Sequence, residues 1–387
     1  MAVRSPGFTS FTDPGIDEFV ETLREELRAT IPESWEAVKD LPEFHPANHE
    51  ARRQFDRNRN AIGLGQITWP EPWGAGFGPV EEVLYNEVWG ELEAPLIFNV
   101  VGRFAGRALS DWGSEAQKEY FLPRILNDDD IWCEGFSEPG GGADMANYKT
   151  RATRTESGWH ITGEKIWTSS SPQADRMYCL AITDPNAPKR HNLSVFALNM
   201  HSPGVVVEPI KDITGISEFG HVHIDTDVPD SDLLGEEGQG WAYSSLVGAQ
   251  RQRGPSGNAE RSSQMGAWAR RLQRTFDAAP ETTKQRLRGR VDEVVLRVRG
   301  YQQQIRRAVT DAIAGRETFP ATAPMKIYWT ELTQEMTDLG LELAGPADEA
   351  YWRGRHLDFR KVTIATGPNE VHRDIVANRV LGMGRDF

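Results

Sequence analysis

Two short patches hold the residues best suited to chemistry. The first, Phe136-Ser-Glu-Pro-Gly-Gly-Gly-Ala-Asp144, ends an apolar run in a glycine-rich loop. Backbone without side chains can approach a ligand closely there. The second, Gly163-x-Lys165-x-Trp167-Thr168-Ser169, follows about one hairpin later. It places an aromatic slab and two hydroxyls where a strand is expected to end. Loop amides suit a phosphate or ring edge, the Trp suits a ring face, and short hydroxyls suit ring heteroatoms. Together they describe a site for a large flat cofactor.

The elements that must position these patches follow from periodicity. Residues 14 to 130 read as helical. Asp13-Pro14 reads as a cap and first-turn proline, and Ile16, Phe19, Val20, Leu23 and Leu27 line one face. A Pro/Gly-rich loop from Trp69 to Pro79 breaks the pattern, which resumes through Val83, Leu84, Val88, Trp89 and Leu92. The run from Gly113 to Pro123 reads as a Ser-capped helix stopped by proline. From 131 to 230 the period becomes two, through Trp159/Ile161, Tyr178/Leu180/Ile182, Leu193/Val195/Ala197, Val205/Val207 and Val222/Ile224. From 238 the helical period returns in two stripes, one from Val291 to Ile313 and one from Leu332 to Leu343. Val371, Ile375 and Val376 begin a last helix. The expectation is an α+β chain: a helical domain at 1–130, a small antiparallel β-barrel or sandwich at 131–235, and a four-helix bundle at 236–387.

In that order, the residues resemble the acyl-CoA dehydrogenases. The resemblance rests on Trp69-Pro70 with its Gly-rich loop, Gly113-Ser-Glu-x-Gln-Lys118, Phe121-Leu-Pro-x-Ile125, Ser137-Glu-Pro-Gly with Asp144, Gly163-x-Lys165-x-Trp167 and Gly367-x-Asn369-Glu370-Val371-x-Arg373. It implies FAD as cofactor, an acyl-CoA-like substrate, an electron-transfer acceptor and a homo- or hetero-oligomer, dimer or tetramer. It implies that Glu134, Phe136, Ser137, Gly142 and Ala143 run along the flavin, and that Trp167, Thr168 and Ser169 flank its ring. Asn369 and Glu370 are implied to lie near the cofactor. Ala143, Arg253 and Gly367 are implied to lie near the substrate.

The family chemistry needs a carboxylate to take the α-proton while the flavin takes the β-hydride. The resemblance places that Glu at Thr366 or, in some members, at Gln252, and neither residue can accept the proton usefully. Ala143 replaces a frequent Ser. The family's Arg-x-x-Phe-Gly motif is missing from the stretch around Thr275–Pro280. The Gln-x-x-Gly-Gly-x-Gly loop survives only in part at Glu342-Leu-Ala-Gly-Pro346.

Three readings account for these departures. In the first, the chain is a subunit of a heteromeric acyl-CoA dehydrogenase. In the second, it is self-sufficient with a relocated base, Glu134 or Glu370. If the strand alternates, Glu134, Phe136 and Glu138 share a face; a solvent-facing Glu134 is the plain alternative. In the third, it is a flavin-dependent oxygenase or oxidase on the same fold, acting on an unusual substrate and needing no α-base.

The whole chain bounds these readings. It has 387 residues, enough for a sizeable core, and a formal charge of −14, which argues against nucleic acid as main partner. The arginines crowding 251–316 fall at helical spacing and read as a solvated or subunit-facing surface. No apolar run is long enough for a bilayer, and the N-terminus lacks a signal-peptide core. Cys133 and Cys179 sit in apolar runs and read as buried thiols, which fits a cytoplasmic setting. His221 and His223 could share a strand face as metal ligands. With no third ligand evident in the sequence, a plain surface pair and no metal is the expectation.

Overall fold

The computed structural model describes residues 3–141, 148–245, 256 and 258–384. Its helices and strands are α1 (Ile16–Thr30), α2 (Trp35–Val38), α3 (His49–Ala61), α4 (Pro79–Glu91), α5 (Val100–Trp112), α6 (Glu115–Leu126), β1 (Trp132–Gly135), β2 (Arg151–Thr155), β3 (Gly158–Ser169), β4 (Arg176–Ile182), β5 (Leu193–Asn199), β6 (Val205–Ile210), β7 (Phe219–Pro229), β8 (Leu233–Leu234), α7 (Ala259–Ala278), α8 (Glu281–Ile313), α9 (Phe319–Thr322), α10 (Met325–Leu343), α11 (Glu349–Asp358) and α12 (Asn369–Ile375). This is the expected helical, then sheet, then helical order. Compactness groups them into two units: Met1–Asn48, Gly76–Leu96 and Ala249–Phe387 on one hand, His49–Ala75 and Ile97–Gly248 on the other. Helices α3, α5 and α6 thus group with the strands.

In the sheet unit the strands run in the order β6-β7-β3-β2-β4-β5-β8, and β1 pairs with β4. Most pairings are antiparallel, but β1 and β2 both meet β4 in parallel. Strand β4 is buried on both faces. One face carries Trp132, Tyr178, Leu180, Val195 and Ala197 against Ala105 and Leu109 of α5 and Phe121 and Ile125 of α6. The other carries Cys133, Met177, Cys179, Phe196 and Leu198 against Trp159, Ile161, Val222 and Ile224. Each such large side chain removed from water contributes roughly 1.5–3 kcal/mol. Both cysteines are buried and unbridged. Burial pushes the Cys179 thiol up to about 11 and the Cys133 thiol well above its ordinary value.

The helical unit follows the expected stripes. Val291, Val294, Val298, Ile305 and Val309 are buried on α8, and Leu332, Met336, Leu339 and Leu343 on α10. Two local expectations change. Helix α1 starts after Gly15 in a left-handed conformation; Asp13 instead accepts from the Thr9 and Ser10 amides, at 2.7 and 3.0 Å. Ser114 caps α6 in a capping box with Gln117, but the helix runs through Pro123 to Leu126. Helix α12 buries Asn369 and His372 and leaves Val371 41% exposed, so its apolar face is not the inward one. Several arginines of the 251–316 crowd pair with acids of their own unit, as in Arg271–Asp348, Arg290–Glu342 and Arg297–Glu335.

Candidate functional site

The two sequence patches meet in the sheet unit. Strand β1 runs alongside β4 with Glu134 opposite Tyr178. Alternation places Trp132, Glu134 and Phe136 on the face toward α5, where Phe136 lies 6.1 Å edge-on from Phe104 and 5.8 Å from Tyr178. Glu134 is half-buried, and its charge adds to the burial that raises the Tyr178 and Tyr148 phenols. Glu138 leaves that row. It is buried, accepts from the Thr150 amide at 3.1 Å and pairs with Lys165 at 2.8 Å. Burial alone would raise its carboxyl, but the Lys165 ammonium and the donors at Thr150 and Lys149 hold it below the usual glutamate range.

Lys165 therefore clamps the first patch to the second. Its ammonium also reaches the Phe136 carbonyl at 3.5 Å and lies 4.6 Å over the Tyr148 ring. The Ser137 carbonyl accepts from the Ile166 amide at 2.9 Å, a second tie. Gly163 is required by close approach, because a Cβ there would stand 2.6 Å from the Thr150 Cα. Both Lys165 and Glu138 were legible as motif residues.

Beyond the clamp, the β3–β7 register shifts between Lys165 and Thr168. Trp167 takes a left-handed φ of 57° there and is 58% exposed, with Phe219 edge-on at 6.2 Å. A bulky non-glycine residue in that region is strained, and it falls where the register shift bends the strand. Thr168 is fully buried, and its Oγ1 makes no hydrogen bond among the described residues. Ser169 is half-buried beside it. An outward aromatic face next to an unused buried hydroxyl fits a flat heteroaromatic ring, so the residues present suit FAD. Gly142, Ala143 and Asp144 lie outside the described residues, as do Gln252 and Arg253.

The remaining candidate residues lie in the helical unit, on the turn before α12 and in the first turn of α12. Thr366 has φ 55°, is exposed, and donates its hydroxyl to the Ala365 carbonyl at 2.7 Å. Gly367 follows at φ 92°. Its carbonyl accepts from Lys326 Nζ at 2.8 Å, and Asn369 Oδ1 accepts from the same nitrogen at 2.9 Å. Asn369 Nδ2 donates to Thr330 Oγ1 at 3.0 Å. The buried Lys326 was missed at the sequence level, although a lone charge in the apolar run Met325–Trp329 was the available signal. Burial pushes its ammonium down to about 8, against the opposing charge of Glu370. The Glu370 side chain itself is 80% exposed and lies 3.9 Å from Arg373.

The two degraded motifs are occupied by structural contacts. Thr275 accepts from the Trp352 indole at 3.1 Å and donates to Asp348 at 3.3 Å. Glu342 pairs with Arg290 at 2.7 Å.

Comparison with known proteins points to one family. Family models for the N-terminal, middle and C-terminal domains of acyl-CoA dehydrogenase match residues 17–129, 133–227 and 257–381. The acyl-CoA dehydrogenase IpdE1 of Mycobacterium tuberculosis is 30% identical over 96% of this chain and 98% of its own. FadE34 of the same organism is 29% identical over 95% of this chain, which spans 49% of that longer protein. Among solved structures, the Tcur3481-Tcur3483 steroid ACAD superposes with TM-score 0.82 at 22% identity, covering 100% of both chains. The chain belongs to the acyl-CoA dehydrogenase family and is an FAD-dependent oxidoreductase.

Proposed function

We propose that this chain serves as one subunit of a heteromeric acyl-CoA dehydrogenase, lending the sheet-side half of a flavin site while a partner lends the α-base. The observation that carries this reading is Thr366. Its hydroxyl is engaged by the Ala365 carbonyl on a left-handed turn, and no carboxylate stands there. A hydroxyl so held has no capacity to take an α-proton at neutral pH. The stretch around Thr275–Pro280 supports the same reading, since its polar groups close a contact with Trp352 and Asp348. The fold likeness to the Tcur3481-Tcur3483 steroid ACAD, a pair of differently named chains, is consistent with this division.

Bound FAD would supply the acceptor for the β-hydride of an acyl thioester. In this reading Trp167 packs on a ring face. Thr168 and Ser169 offer hydroxyls to the ring edge, and Phe136 and Ser137 bound the site from β1. The Lys165–Glu138 pair holds the two strands in that relation. Asn369 acts at one remove, because its amide fixes the Thr366–Gly367 turn through Lys326.

The test is FAD stoichiometry and desaturation by the chain alone and after co-expression with an acyl-CoA dehydrogenase homologue from a neighbouring gene. Substoichiometric flavin and no turnover alone, both restored in the complex, is the expected result. A homo-oligomer with one FAD per chain and full desaturation would sink the proposal. In that case Glu134→Gln and Glu370→Gln identify a relocated base by loss of turnover. Fast reaction of the reduced protein with oxygen, giving hydroxylated product, would move the reading to an oxygenase on this fold.

A further inference from the structure

The sheet face outside the flavin surface carries a second group of chemical side chains. His221 and His223 project from the same side of β7, because Val222 and Ile224 between and beyond them are buried in the core. Their rings stand 4.2 Å apart, tilted by 41°. Strand β3 lies antiparallel beside them with Glu164 directly opposite His223. Glu164 Oε2 is 2.9 Å from His221 Nε2, and Glu164 Oε1 is 3.8 Å from His223 Nδ1. One ligand atom from each of the three residues lies within 4.8 Å of the other two. Glu208 of β6 stands on the far side, 3.6 Å from His223 Nε2. That nitrogen is shielded from solvent and makes no hydrogen bond among the described residues. The spacing of the two histidines left the third ligand undetermined. The neighbouring strand supplies it.

The same face shows what an ordinary ion pair looks like. His160 sits between Asp225 and Asp227, at 2.9 and 2.7 Å, so both ring nitrogens already have a carboxylate. Around Glu164 two imidazoles converge on one carboxylate, and that is a donor set for a metal. Imidazole nitrogen and carboxylate oxygen bind Zn2+ at about 2.0–2.2 Å, so the ligand atoms need to close in by roughly 1 Å. The side chains are 22%, 38% and 49% exposed, which leaves an approach for a hydrated ion. Two imidazoles and a carboxylate favour a borderline divalent ion over Mg2+ or Ca2+.

We propose that Glu164, His221 and His223 form a binding site for a divalent transition cation of the Zn2+ type, with water completing the coordination. The ion would join β3 to β7 at Glu164, the residue before the Lys165 clamp and three before Trp167. It would stiffen the strand that presents the aromatic face.

The experiment titrates ZnCl2 into chelator-treated, FAD-loaded protein by calorimetry, with MgCl2 as the comparison ion. One Zn2+ per chain is expected with a dissociation constant on the order of micromolar or tighter, and no saturable heat with Mg2+. His221→Ala and His223→Ala should each weaken binding at least about 100-fold. His201→Ala, which removes another exposed histidine paired with an acid, should leave it unchanged. Visible absorbance and melting temperature report folding, and His221→Gln repeats the test with a side chain closer in size. Absence of saturable Zn2+ binding, or binding that survives the His221/His223 double variant, overturns the proposal and leaves a surface ion pair.

Discussion

Trp167 and Thr366 share a backbone anomaly, with φ of 57° and 55°, but their surroundings differ. Around Trp167 the chain's own groups stop short. The ring is 58% exposed and the neighbouring Thr168 hydroxyl is buried with no hydrogen bond among the described residues. Behind it, the Glu138–Lys165 pair holds the strands so that the strain persists. Around Thr366 the polar groups are answered from within the chain: Ala365 takes the hydroxyl, and Lys326 takes the Gly367 carbonyl and the Asn369 oxygen. Similar strain therefore has two meanings. In the proposed reading, the first region is built toward a bound cofactor, and the second is built to keep a turn in place.

Trp167→Ala tests the first half of that contrast and carries the largest expected effect. Losing one stacked face should lower FAD affinity about 100-fold, near 2.7 kcal/mol, in a titration followed by flavin absorbance. The melting temperature of FAD-free protein should move little, because the ring buries little of itself in the core. Undiminished FAD affinity in the variant would break the comparison.

Lys326→Met tests the second half. It removes the Lys326 donor from the Gly367 carbonyl and from the Asn369 oxygen, which keeps a contact with the Thr330 hydroxyl, at a cost of about 2 kcal/mol in denaturant unfolding. The titration of this ammonium sharpens the point. Its folded value near 8 lies below the ordinary 10.5, so the native state sheds the proton first. The penalty for burying the charged ammonium is full below pH 8, shrinks as pH rises through the window to 10.5, and is gone above it. Wild-type stability relative to Lys326→Met should thus climb by about 1.4 kcal/mol per pH unit there. A flat difference across that window would mean that the ammonium is not desolvated.

The contrast also explains what was legible in the sequence. Strands of period two and the stripes of α8 and α10 were readable because packing enforces their spacing. Phe136, Trp167 and Thr168 could be singled out as candidates because glycines and an aromatic stand there at fixed separation. Lys165 and Lys326 acquire their roles only when distant carboxylates and carbonyls meet them, which one-dimensional spacing does not encode. Helix α12 misled for a related reason. Asn369 is buried there with its amide held by Lys326 and Thr330, while the apolar Val371 is 41% exposed. Glu164, which the proposed cation site adds to His221 and His223, stands on β3 in a register that follows only from pairing.

Thr366→Gly should give the smallest effect, and its sign is informative. A β-branched residue at φ 55° carries strain of about 1–3 kcal/mol, which glycine relieves. Glycine also gives back about 0.5–1 kcal/mol through its freedom in the unfolded chain. The lost Ala365 contact is exposed and contributes little. The net is a stabilisation of roughly 1 kcal/mol in denaturant unfolding, with turnover of the assembled enzyme unchanged. Loss of turnover in a better-folded variant would mean that the Thr366 hydroxyl touches substrate. The turn would then be a reacting surface like that at Trp167, and the division between the two regions would not hold.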